Sequence, residues 1–79
     1  MSGYRTIRVP CEDVETHRLA LQRFFAQYPE DDVRFNIDNG HLLVLLHQLD
    51  TQRFEKDVHA LAQAGQCPAP LSKALELIL

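Results

Sequence analysis

Few residues in this chain have chemistry to offer. Two cysteines, Cys11 and Cys67, and four histidines, His17, His41, His47 and His59, are scattered through 79 residues. None falls in the tight Cys/His spacing that a protein metal site uses. There is no glycine-rich phosphate loop and no nucleophile elbow, so the usual catalytic apparatus has no signature here. A Cys–His pair cannot be inferred from spacing alone. The expectation is therefore no cofactor, no metal and no enzymatic activity.

Cys67 is the thiol in the most suggestive setting. It opens the run Cys67-Pro68-Ala69-Pro70. Pro70 suits the first turn of a helix whose apolar stripe is Leu71, Ala74, Leu75 and Ile78, with Leu77 and Leu79 to its sides. The tetrapeptide resembles the Cys-Pro-x-Pro signature of the TusA/SirA-type sulfur carriers, over Gly65 to Leu75. That resemblance implies a persulfide-bearing cysteine at the head of a helix, where backbone amides favour the thiolate. The family continues with a strand, a helix and two strands and usually has two residues between its glycine and its cysteine. Here the sequence runs to Leu79 and only Gln66 intervenes. Cys67 is thus the alternative site, and an inert cysteine in a proline-punctuated connection is the plainer reading.

The elements that must position these groups are organised around Val33 to Gln48. Asn39-Gly40 between two β-rich runs is a hairpin signal, because a type I′ turn needs positive φ at both central residues. In that register Ile37 faces Leu42, Phe35 faces Val44 and Val33 faces Leu46, making one apolar face. The second run, HLLVLLHQ, is apolar on both sides and suits a central strand. Tyr4 to Val9 alternates and is rich in β-branched residues, so it is predicted as a strand ended by Pro10.

Two helices complete the core. The first is predicted over Glu12 to Tyr28, with Val14, Leu21, Phe24, Phe25 and Tyr28 on its stripe, Cys11 or Asp13 as N-cap and Pro29 as its stop. His17 lies on that stripe as a core or boundary histidine with one hydrogen bond. Glu30-Asp31-Asp32 is a solvated turn. The second helix is predicted over Thr51 to Ala64, capped by Asp50. Phe54, Val58, Leu61 and Ala62 are buried, His59 is exposed and Gly65 takes the C′ position.

The expected fold class is α+β: a β-α-β-β-α core of split β-α-β type, ferredoxin-like but lacking the last strand. Its sheet order is 2-3-1, and a C-terminal helix follows. That helix must dock: on the outer sheet face over Leu43 and Leu45, beside the second helix, or on another subunit. Leu71, Leu75 and Ile78 are its candidate interface residues.

Alternation places Tyr4, Thr6 and Arg8, then Arg34, Asn36 and Asp38, then His41, Leu43, Leu45 and His47 on the outer face. Of these, Tyr4, Arg8, Arg34, His41, Leu43, Leu45 and His47 are the candidate binding residues. An apolar centre with a polar rim is the anatomy of an interface. The first strand would have a bare outer edge, which invites pairing with a second copy. Single-stranded nucleic acid is a weaker candidate. Only Tyr4 offers a stacking ring, and the formal net charge of −3 opposes phosphate.

No secretory leader is recognisable in MSGYRTIRVP, and the longest apolar run, Leu42 to Leu46, is far short of a membrane span. Protonating all four histidines would shift the net charge from −3 to +1. Together these features lead to the expectation of one small cytoplasmic domain with free thiols. It would act as a protein-interaction or regulatory module, with itself (as a homodimer) or another protein as partner.

Overall fold

Asn39 and Gly40 reverse the chain with φ values of 45° and 74°, the positive values that a two-residue hairpin turn requires. They join β2 (Val33–Asp38) to β3 (His41–His47), with Phe35 opposite Val44 and Ile37 opposite Leu42. On its other side β3 pairs with β1 (Tyr4–Pro10), Ile7 meeting Val44 and Val9 meeting Leu42. Both pairings are antiparallel and the order is β1-β3-β2, so LLVLL is the middle of the sheet. The computed structural model describes residues 3–78 and shows a small α+β domain. Met1, Ser2 and Leu79 (the last a flank of the expected tail helix) lie outside the described residues.

Alternation sorts the side chains. Ile7, Val9, Val33, Leu42, Val44 and Leu46 are buried on the inner face, while Phe35 and Ile37 at the β2 border are half-buried. Each large aliphatic side chain fully buried there contributes about 2 kcal/mol, which is substantial in a domain this small.

The first helical segment is shorter than its periodicity suggests. Residues Val14–His17 form a 3-10 turn and α1 runs only from Arg18 to Phe25. Two local causes account for this. The Asp13 side chain that would cap a helix start instead accepts a hydrogen bond from the Cys11 thiol at 3.1 Å. At the other end Tyr28 precedes Pro29, whose ring disfavours helical backbone in the residue before it. Tyr28 is still buried, carried inward by the turn that follows α1. His17 sits at the boundary, 3.7 Å from the Asp13 carboxylate.

α2 (Thr51–Gln63) is approached through a short 3-10 turn, Gln48–Asp50. Asp50 holds the N-cap position, but its side chain makes no capping bond there; the His47 ring accepts from the Leu49 N–H at 3.2 Å instead. Phe54 and Val58 are fully buried and Leu61 is half-buried. Ala62 is exposed, so the buried stripe is narrower than the sequence reading. Gly65, at φ 71°, ends the helix. The Gln66 N–H bonds the Leu61 carbonyl at 2.9 Å and the Gly65 N–H bonds that of Ala62 at 3.1 Å, a Schellman closure.

An aromatic cluster locks α1 to α2 and the sheet. Phe25 stacks on Phe35 at 4.8 Å between centroids, and Phe24 meets Phe54 edge-on at 5.9 Å. The Tyr28 hydroxyl donates to the Asp57 carboxylate at 2.5 Å, and the Arg53 guanidinium lies 5.1 Å from the Tyr28 ring centre.

The C-terminal segment forms α3 (Ala69–Ile78), which packs on β1 and beside α2. Leu71 and Ala74 are 0 % exposed, and Leu75 and Ile78 pack half-buried against the same core. The tail therefore docks within its own chain and does not cover Leu43 and Leu45. Leu71, expected as an interface residue, lies inside the core, because a short amphipathic helix gains most by burying its stripe where β1 is otherwise uncovered.

Candidate interaction surface

Register alone assembles the opposite face of the sheet. Across it Thr6, Leu45 and Arg34 make one row and Arg8, Leu43 and Asn36 the next. Tyr4 and His47 close one end, with Pro10, His41 and Asp38 at the other. Each strand presents every second side chain here, and the helices lie on the other side. Leu43, Leu45, His41 and His47 are half-buried on the central strand, whereas Tyr4, Arg8, Arg34 and Asn36 on the flanks are exposed. All seven residues singled out from sequence thus share one surface, with Thr6 and Asn36 completing its rows.

One end of this surface is shaped. The Tyr4 ring meets His47 edge-on at 5.2 Å, and its hydroxyl donates to the Asp31 carbonyl. Tyr4, Leu45 and Arg34 then border an open depression of about 370 Å³ together with Glu30, Asp31 and Asp32. The acidic turn looks merely solvated in the sequence. Its place beside Tyr4 depends on a contact spanning 27 residues, which no local pattern reports.

The two edges of the sheet differ. On β2, the Asp38–His41 pair closes the hairpin, so the backbone groups of Arg34 and Asn36 face β3 and those of Val33, Phe35 and Ile37 face outward. Two of these outward N–H groups are already satisfied, Val33 by the Pro29 carbonyl at 3.0 Å and Ile37 by the Asn36 side chain at 2.9 Å. On β1, the Cys11 N–H bonds Gly40 at 2.8 Å and the Gly3 carbonyl accepts from Gln48 at 2.7 Å. Odd-numbered residues therefore face β3, and the backbone groups of Tyr4, Thr6 and Arg8 point to the open side. Among the described residues no hydrogen bond reaches those three N–H groups.

The remaining reactive groups stand apart from this surface. Cys67 is half-buried just ahead of α3, and the Ser72 hydroxyl donates to its sulfur at 3.2 Å. The Pro68 carbonyl accepts the first helical bonds, from Leu71 at 3.0 Å and Ser72 at 3.2 Å. Cys11 is buried, and burial pushes its thiol pKa up, with the bond to Asp13 acting in the same direction. The same bond holds the Asp13 carboxyl below the usual carboxylate range. Burial, and then the Asp57 bond, raise the Tyr28 phenol well above the ordinary tyrosine value. Among the described residues no three of His, Cys, Asp and Glu are grouped to hold a metal ion, and no helix is long and apolar enough to cross a membrane.

The chain matches no protein-family model, no curated protein and no solved structure.

Proposed function

We propose that this protein is a small interaction module that associates with a second copy of itself along its sheet and presents the uncovered face to protein partners. The observation that carries this reading is that, among the described residues, α1, α2 and α3 share one core with the inner face of the sheet. That packing leaves Leu43 and Leu45 as an apolar centre rimmed by Tyr4, Arg8, Arg34, His41 and His47. The strand order and the two antiparallel pairings support a split β-α-β unit, ferredoxin-like without its last strand.

Size argues for association. Three strands of up to seven residues offer a flat footprint of roughly 340 Å², small beside the roughly 800 Å² per partner of a stable interface. Two copies side by side would double it. Sedimentation velocity from micromolar to millimolar protein tests the proposal. A concentration-dependent dimer is expected; a single-chain species throughout would contradict it.

The acidic turn at Glu30-Asp31-Asp32 lies beside Tyr4 and Arg34, the ring and the guanidinium that a single strand would use. That placement weighs against single-strand binding. A thiol-based sulfur carrier using Cys67 is the second reading, favoured by the place of this half-buried cysteine just ahead of α3. Incubation with a persulfide donor followed by mass spectrometry tests it, and no sulfur gained on Cys67 would dismiss it.

A further inference from the structure

We infer that the second copy joins at the β1 edge, the two β1 strands pairing antiparallel about Thr6 to make one continuous six-stranded sheet. The inference deepens the self-association proposed above and rests on it. Its first support is the contrast between the two edges. On β2 the outward N–H groups of Val33 and Ile37 are taken up by Pro29 and Asn36, as in an edge protected from pairing. On β1 the outward N–H and carbonyl groups of Tyr4, Thr6 and Arg8 recur every second residue with no protein partner among the described residues. This is the pattern of donors and acceptors that an added strand completes.

The occupant follows from self-complementarity. A two-fold axis through Thr6 places Thr6 opposite Thr6 of the other copy, and Tyr4 opposite Arg8 on each side. About six backbone hydrogen bonds would form across these three pairs. Every side-chain pair on the outer face is favourable: a threonine pair at the axis, and a guanidinium beside an exposed tyrosine ring twice. Moving the axis toward Pro10 would sacrifice bonds, since proline has no N–H. The Pro10 carbonyl is moreover held by Lys73 Nζ at 3.5 Å, which limits the free edge to Tyr4–Arg8.

The pairing also brings related surfaces together. α3, packed over β1, would approach its copy across the axis; it carries half-buried Leu75 and Ile78 and Leu77, which is 52 % exposed. On the other side the two outer faces would merge, with Leu43 and Leu45 of both copies in one surface.

Amide hydrogen exchange with residue resolution tests the pairing directly. The Thr6 and Arg8 amides should gain at least tenfold protection as concentration rises, while the Phe35 amide on the β2 edge should not change. Thr6→Pro removes an N–H that makes no bond in the single chain, and Pro is tolerated on an edge strand. It should weaken association at least tenfold. Should Thr6→Pro fail to fold, Thr6→Lys places two ammonium groups at the axis and should also weaken the dimer. Leu45→Lys, on the outer face, should leave it intact. A dimer lost in Leu45→Lys but retained in the Thr6 variants would overturn edge pairing while sparing self-association. A chain that never dimerises would overturn both.

Discussion

Tyr28 and Cys11 are the two ionisable groups whose surroundings most oppose their charged forms. Both pKa values are raised, first by burial and then by a hydrogen bond to a carboxylate, Asp57 and Asp13 respectively. The unfolded chain releases these protons at about pH 8.5 for the thiol and about pH 10 for the phenol, whereas the folded chain keeps them longer. Above those values the folded state binds more protons, so stability is intact at neutral pH and falls as pH rises. Urea unfolding between pH 7 and pH 11 should show this decline, smaller in Tyr28→Phe above pH 10 and smaller in Cys11→Ala from pH 8.5. At neutral pH, Tyr28→Phe should cost about 1–2 kcal/mol. The low end is favoured because Asp57 remains partly exposed and can be hydrated instead. An unchanged alkaline slope in both variants would contradict these assignments.

Individual elements depend on a few positions. Gly65 ends α2 at φ 71°, and a Cβ there would meet open space, so Gly65→Ala isolates the backbone cost. Chemical denaturation should register a loss of about 1 kcal/mol. Phe54→Ala removes the ring shared by Phe24, Phe25 and Tyr28 and should cost about 3–5 kcal/mol. A chain of this length has about 4–12 kcal/mol in total, so circular dichroism should show that variant largely or partly unfolded at 37 °C. The hairpin was legible because Asn39-Gly40 specifies its own turn, and the two-sided apolarity of Leu42–Leu46 then specified the middle strand. The outer face followed, since alternation needs no tertiary information. The start of the first helix was not legible: the competition between Cys11 and the backbone for Asp13 is invisible in periodicity. Nor was the docking of α3, because its stripe fits any apolar surface and only the assembled sheet shows that β1 lacked a cover.

At the scale of the whole molecule, the decisive asymmetry is between a helix-covered face and an open one, and between a β2 edge with two of its three outward N–H groups bonded and a β1 edge whose outward N–H groups have no partner among the described residues. Leu71→Ala, inside the seat of α3, should destabilise the fold by about 2–5 kcal/mol and shift thermal unfolding accordingly. It should not abolish pairing in the molecules that remain folded, because Thr6 and Arg8 do not depend on that side chain. Small-angle scattering measures the association most directly. The single chain has a Cα radius of gyration of 11.6 Å. With increasing concentration the scattering should approach twice the single-chain mass, with a radius well above that value and the profile of an elongated, side-by-side pair. A particle of single-chain mass and unchanging radius at every concentration would contradict it.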